Sequence, residues 1–243
     1  MKSSAILYLL VIGLVYAQTD SLEKCKSGDT KCIRHFINEV FNVEHQGVPF
    51  LKIPSIKPIK GPLLSIKADK NSPVAVNLDF YDFEVTFNRN ITSSVKGFGN
   101  QINGTHRIRL RCEYITILAD YKIDGKVLIL PITGGGRSNL TFLDPEIIIT
   151  IKSEPLEKDG KTYMKFTDFK LQMPKLSRMI TNLENLFNGD KALGDNMNKF
   201  LNENWSDVFH ELVHPVVTGL GETAREYISK TLENIPYNEL FKD

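Results

Sequence analysis

The stretch KALGDNMNKFLNENWSDVFHELVHPVVTGLGETAREYISKTL, residues 191–232, carries one apolar stripe from end to end. Leu193, Met197, Leu201, Trp205, Val208, Leu212, Val216, Leu220, Tyr227, Ile228 and Leu232 recur at steps of three, four or seven apart from the adjacent pair Tyr227 and Ile228. That is the signature of an amphipathic helix. A continuous helix over 193–232 would be about 60 Å long at ~1.5 Å per residue. Pro215 should kink it, and Gly219 and Gly221 should loosen it. The helical pattern also extends backward through Leu176, Met179, Ile180, Leu183, Leu186 and Phe187, with Asn188-Gly189-Asp190 as an interruption.

A helix this long needs a large apolar partner, and the middle of the chain supplies it. From Leu63 to Met173 the apolar period is two, the mark of half-buried strands. Val74, Val76, Leu78 and Phe80 share one parity, whereas Tyr81, Phe83, Val85 and Phe87 share the other. Such a phase change needs a bulge or a sharp bend. A second occurs where Ile108, Leu110, Cys112 and Tyr114 give way to Ile115, Ile117 and Ala119. Further alternating segments run near 126–132, 138–142, 147–152 and 163–173. Asn103-Gly104, Asp124-Gly125, Gly134-Gly135-Gly136 and Asp159-Gly160 are the turn signals between them. The expected fold class is α+β, a strongly curved antiparallel β-sheet wrapped around the long C-terminal helix.

Upstream, Thr30 is placed to cap a helix bearing Ile33, Phe36, Ile37, Val40 and Phe41 on one face, with Gly47 closing the segment. The following GVPFLKIPSIKPIKGP has four prolines within the fourteen residues 49–62, which excludes a helix or a central strand and reads as an extended connector. At the very start, Lys2 precedes an apolar run from Ala5 to Val15, and Val15-Tyr16-Ala17 offers a signal-peptidase site. The run is too short to span a bilayer and fits a cleaved secretory signal at residues 1–17, leaving one domain at 18–243. No later stretch approaches eighteen apolar residues, so no stable membrane insertion is expected. Secretion into an oxidising compartment makes Cys25 and Cys32 the natural disulfide, with Cys112 left over. Four glycosylation sequons begin at Asn90, Asn103, Asn139 and Asn204, those at Asn90 and Asn103 falling on loops.

Composition narrows the function classes without choosing one. Lys and Arg total 30 against 29 Asp and Glu, a net charge of +1, with no dense basic cluster to hold nucleic acid. Apolar residues at 42% exclude a disordered chain. Fourteen Phe, eight Tyr and five Met could form a packed core or line an apolar tunnel, and periodicity does not separate the two. The candidate lining is Met179, Leu183, Phe187, Met197, Trp205 and Phe209 from helices, with Tyr114, Tyr121, Phe142 and Phe166 from strands. The competing chemistry is His210-Glu211-Leu212-Val213-His214, an H-E-x-x-H in which both imidazoles could bind zinc while Glu211 activates water. Pro215 distorts the turn that must aim the rings, and a third ligand would have to be distant, such as Glu233. Gly134-Gly135-Gly136 leads into a strand rather than a helix, so it is no phosphate cradle.

Four features in order resemble the insect takeout/juvenile-hormone-binding family. They are the pair Cys25 and Cys32, then GVPFLKIPSIKPI from Gly47, then YKIDGKVLILPITGGG (121–136), and last LFNGDKALGDNMNKFLNENW (186–205). The resemblance covers Cys25 to about Phe241. It implies the tubular lipid-binding fold, with an elongated hydrophobic tunnel enclosed between sheet and helix. It further implies a non-enzymatic, secreted carrier of a small hydrophobic ligand, a juvenile hormone-like terpenoid, fatty acid or other lipid, without metal or other cofactor. Such carriers are linked to hormone transport, feeding or circadian output. The single clear cysteine pair fits the takeout members better than hormone carriers with two bridges. A monomer is expected, and the receptor that takes the cargo is left open.

Overall fold

The computed structural model describes residues 23–42, 47–48, 55–67, 72–88, 90–98 and 101–242; the expected signal at 1–17 lies outside them. The described residues begin with helix α1 (Thr30–Asn42), continue through nine strands, and end in helices α2 (Lys191–Glu203), α3 (Trp205–Leu232) and the short α4 (Tyr237–Leu240). The strands are β1 (Ile59–Ile66), β2 (Val74–Phe87), β3 (Thr92–Lys96), β4 (Gly104–Arg111), β5 (Tyr114–Val127), β6 (Leu130–Leu143), β7 (Glu146–Lys158), β8 (Lys161–Lys175) and β9 (Arg178–Leu183). They form two antiparallel sheets in place of the single sheet expected, one ordered β1-β2-β5-β6-β9 and the other β3-β4-β7-β8. Helix α3 packs against β8 of the second sheet and against β1, β2 and β9 of the first, so it holds both together.

The period-two signals place the core. In β5, Ile115, Ile117, Ala119, Tyr121 and Ile123 are all buried while their neighbours face outward. In β2 the phase change is a bulge: register shifts between Tyr81 and Glu84, with Asp82 at φ 46°. Inward pointing thus passes from Val74, Val76, Leu78 and Phe80 to Phe83 and Val85. The second phase change is a bend instead, where the chain leaves β4 after Arg111 and enters β5, in the other sheet, at Tyr114.

Several expectations are corrected. The helical stripe over 176–187 is the strand β9, in which Met179, Thr181 and Leu183 are buried and Ile180 is exposed. Met179 and Leu183 are four apart, a spacing that suits both periods, and pairing with β6 decides for the strand. Phe187 begins a 3-10 turn, Phe187–Gly189, in which Phe187 and Asn188 both have positive φ. The long helix is two helices, broken at Asn204 (φ −104°, ψ 25°), whose backbone N–H and side-chain amide both donate to the Phe200 carbonyl, at 3.0 and 2.8 Å. Pro215 is accommodated inside α3. Asp29, not Thr30, caps α1: its Oδ1 accepts from the N–H groups of Lys31 (3.1 Å) and Cys32 (3.0 Å).

Two of the four turn signals are not turns. Asp124-Gly125 lies within β5 and Gly134-Gly135-Gly136 within β6. The hairpin joining those strands turns at Leu128-Ile129, inside the segment read as one alternating run over 126–132. The last residues of the proline-rich connector form β1, at the sheet edge where Pro62 is tolerated. Cys25 and Cys32 are disulfide-bonded, and Cys112 is a buried free thiol whose pKa burial pushes up to about 12.

Candidate functional site

Among the described residues, two apolar cavities lie along α3. The larger, of about 230 Å³, is closed on one side by the inner face of α1, through Ile33, Phe36, Ile37, Val40 and Phe41. Ile108 and Leu110 of β4, Ile149 of β7 and Met164 of β8 form its floor, and Tyr227, Ile228 and Leu232 of α3 its side. The amphipathic stripe of α1 is thus explained: it covers the cavity rather than packing into a filled core. The disulfide fixes the first turn of α1, and Lys242 N–H donates to the Cys25 carbonyl at 2.9 Å, bringing Phe241 into the wall. Among the described residues, Lys24 is the one ionisable side chain on the lining besides the Tyr227 phenol, and its ammonium donates to the Glu239 carbonyl.

The smaller cavity, of about 60 Å³, sits between the five-stranded sheet and the first half of α3. Val208, Phe209, Leu212, Val213, Val216 and Val217 of α3 line it. In the stretch of helix between the two linings, β1 approaches closely: a Cβ at Gly219 would stand 2.1 Å from Leu64 Cδ1.

The structure brings four of the ten candidate lining residues together. Met179, Leu183, Phe142 and Phe209 all border the smaller cavity, with the Phe142 and Phe209 rings edge-to-face at 6.5 Å. Six lie outside both linings. Met197 is buried, and Trp205 and Phe187 are half-buried against the core. Phe166 is buried and stacks on Phe169 at 6.3 Å. Tyr121 is buried with its hydroxyl donating to the Glu184 carbonyl at 2.7 Å, and burial pushes its phenol up to about 12. Tyr114 is exposed at the start of β5. Sequence reasoning missed α1 as a wall. Its stripe was visible, but what the stripe faced depends on residues from about sixty to two hundred positions away.

One buried polar network supports the larger cavity. Phe98, which lines it, is held from both ends: its carbonyl accepts from Gly28 N–H at 2.9 Å and its own N–H donates to His106 Nδ1 at 2.7 Å. The proton of the neutral imidazole therefore sits on Nε2, 2.8 Å from Ser153 Oγ, which in turn donates to the Ile102 carbonyl. Burial holds the His106 pKa below its ordinary 6.5. In the unfolded chain the ring takes a proton near that value; in the folded chain it does so only at lower pH. Stability from this site is therefore full above about pH 6.5 and falls away below it, the loss being complete once the pH is under the folded value. Thermal melts between about pH 5 and pH 7 should show this slope in the wild type and a flatter one in His106→Gln. Equal slopes would contradict the assignment.

The zinc constellation is not assembled. His210 Nδ1 lies 2.6 Å from the Ser206 carbonyl and donates to it. The Glu211 carboxylate accepts from Ser72 Oγ at 2.7 Å, and Glu233 Oε1 accepts from the Phe166 N–H at 2.7 Å. Among the described residues no three His, Cys, Asp or Glu side chains, His214 included, group as a metal site. Of the sequon asparagines, Asn90, Asn103 and Asn139 are exposed and Asn204 is half-buried.

Comparison with known proteins agrees with this geometry. The circadian clock-controlled protein daywake of Drosophila melanogaster is 27% identical over 227 residues, covering 91% of this chain and 87% of its own length. Its Drosophila yakuba counterpart is 25% identical over 230 residues with the same coverage, 91% and 87%. The crystal structure of Epiphyas postvittana Takeout 1 superposes with a TM-score of 0.75 at 22% identity, over 91% of this chain and 100% of that one. The long C-terminal helix against antiparallel sheets is therefore the Takeout fold. The family described as haemolymph juvenile hormone binding protein (JHBP) matches residues 5–242, and this chain belongs to it.

Proposed function

We propose that the protein is a secreted, non-enzymatic carrier of a small hydrophobic ligand, of fatty-acyl or terpenoid type. The mature carrier is one lipid-binding domain, 18–243, released from a signal at 1–17 and glycosylated at one or more of its exposed sequons. The observation that carries this reading is the cavity of about 230 Å³ walled by Ile, Leu, Val and Phe side chains. Protein interiors are packed to the density of organic crystals, and an unfilled cavity of this size costs on the order of several kcal/mol. An apolar ligand recovers that cost at ~25 cal/mol per Å² of surface removed from water.

The two cavities lie along one helix, and movement of Leu64 away from Gly219 would join them into the elongated tunnel that a long chain requires. With linings that are apolar apart from Lys24 and the Tyr227 phenol in the larger cavity and Thr181 in the smaller, shape and length select the ligand more than head-group chemistry does. The family description names juvenile hormone, and both Drosophila relatives are described as clock-controlled. Those descriptions connect the carrier reading with hormone transport or circadian output; feeding is a third setting.

The test is a titration of delipidated protein with a saturated fatty acid of about sixteen carbons and with an isoprenoid ester. At a hundredfold excess over Kd, binding stabilises the folded state by about 2.7 kcal/mol. For a chain of this size that raises Tm by about 5–10 °C. Absence of any shift with either ligand class would overturn the carrier reading.

A further inference from the structure

The hairpin joining β5 and β6 is built against its own turn chemistry. The ladder runs to Val127↔Leu130, leaving Leu128-Ile129 as a two-residue turn. Such turns favour Gly, Asn or Asp where φ is positive, yet Leu128 occupies that position at φ 55°. The hairpin joining β7 and β8 shows the ordinary solution in the same molecule. It closes at Lys158↔Lys161 through Asp159-Gly160, both at positive φ. At the β5–β6 tip, Leu128 and Leu130 are each 36% exposed and Ile129 is 92% exposed. Ile129 therefore projects into water at the point of the tip, with Leu128 and Leu130 partly exposed on either side of it.

We propose that this tip docks the carrier onto a phospholipid surface. A two-residue convex tip cannot supply the roughly 800 Å² per partner that a stable protein interface needs. A lipid surface asks for no such area, since it accepts single projecting side chains into its interfacial layer. Lys126, exposed and facing the uncharged Ala75 and Pro131 across the two ladders, places a cation at the level of the lipid phosphates. The strands that carry the tip continue directly into the smaller cavity, whose wall includes Val127 and Ile132. Docking thus brings that cavity to the lipid phase from which apolar cargo is drawn or to which it is returned. The cargo role rests on the carrier reading, while the docking itself does not.

The experiment is flotation with vesicles of phosphatidylcholine alone and with about a quarter phosphatidylserine. It compares the wild type with the double variant Leu128→Gly/Ile129→Ser and with Lys126→Gln. The double variant restores favoured turn residues, so its Tm should equal or exceed that of the wild type. Its association with vesicles should fall about tenfold or more, the loss expected from withdrawing one isoleucine from an apolar phase. Lys126→Gln should weaken binding about fivefold on the anionic vesicles and little on the neutral ones. Wild type that ignores both vesicles, a double variant that binds as well as the wild type, or wild type that self-associates through the tip in sedimentation would each overturn the proposal. Fatty-acid thermal shifts in vesicle-free buffer, equal for the wild type and the double variant, keep the carrier reading separately testable.

Discussion

Replacing Gly125 with alanine is expected to destabilise the protein by at least ~3 kcal/mol, lowering Tm by about 6–12 °C. Two independent causes act at this position. The backbone φ is +141°, a conformation that side-chain-bearing residues rarely adopt. A Cβ there would also lie 2.2 Å from the Ala75 carbonyl oxygen and 2.8 Å from Val76 Cα. Both obstacles are backbone atoms of β2, held there by its ladder with β5, in which Ala75 pairs with Lys126 and Val76 with Gly125, so neither can swing aside as a side-chain tip would. Gly104→Ala is the control, because nothing lies within 4 Å of its Cβ position at the start of β4. Denaturant midpoints of the two variants should separate clearly. A Gly125→Ala cost below about 1 kcal/mol would mean that β2 and β5 do not approach each other as described.

The same glycine shows where sequence reading stopped. Asp124-Gly125 has the composition of a turn, and so does Gly134-Gly135-Gly136, yet both lie within paired strands. A Cβ at Gly136 would stand 2.9 Å from the Glu184 carbonyl oxygen, and one at Gly134 would stand 2.8 Å from Leu186 Cα. These glycines admit a neighbouring backbone, and close approach between distant segments leaves the same local signature as a reversal of the chain. The true reversal at Leu128-Ile129 carries no turn residue at all, so composition could not disclose it. Local periodicity did disclose the bulge at Tyr81–Glu84, because a phase change is recorded within a few residues of itself. It also disclosed the terminal helices, though not the break at Asn204, where the apolar stripe runs on without interruption.

The site divides in the same way. Phe142, Met179, Leu183 and Phe209 are inward-facing apolar residues on the sheet and on the helix that it meets, and their place in one cavity follows from the stripes they belong to. The larger cavity depends on α1, whose inner face meets residues of β4, β7 and α3 only once the chain has closed. The Cys25–Cys32 pair was the one local hint, since a disulfide beside a helix start anchors that helix against something. The buried His106 network gave no signal, because a histidine in a strand of alternating residues looks the same whether it faces solvent or supports a wall.

A bulky residue at Ile149 should separate ligand binding from folding, and a bulky residue at Leu183 should not. Ile149 lines the cavity of about 230 Å³, which has room for an indole in place of the smaller aliphatic group. The apo protein carrying Ile149→Trp should therefore keep its stability within about 1 kcal/mol, because the added atoms fill space rather than displace neighbours. The same atoms displace about three methylenes of a bound chain, each worth ~0.8 kcal/mol, so affinity for a long-chain fatty acid should fall fifty- to a hundredfold, by about 2.4 kcal/mol. Leu183 borders only about 60 Å³, and Leu183→Trp forces atoms into a space already shared by Phe142, Met179 and Phe209. It should cost about 1–3 kcal/mol of stability through overpacking. Isothermal titration of the delipidated proteins, alongside their denaturation curves, measures both quantities. If Ile149→Trp unfolds the protein as readily as Leu183→Trp, or binds the fatty acid as tightly as the wild type, the space beneath α1 is not where the ligand lies.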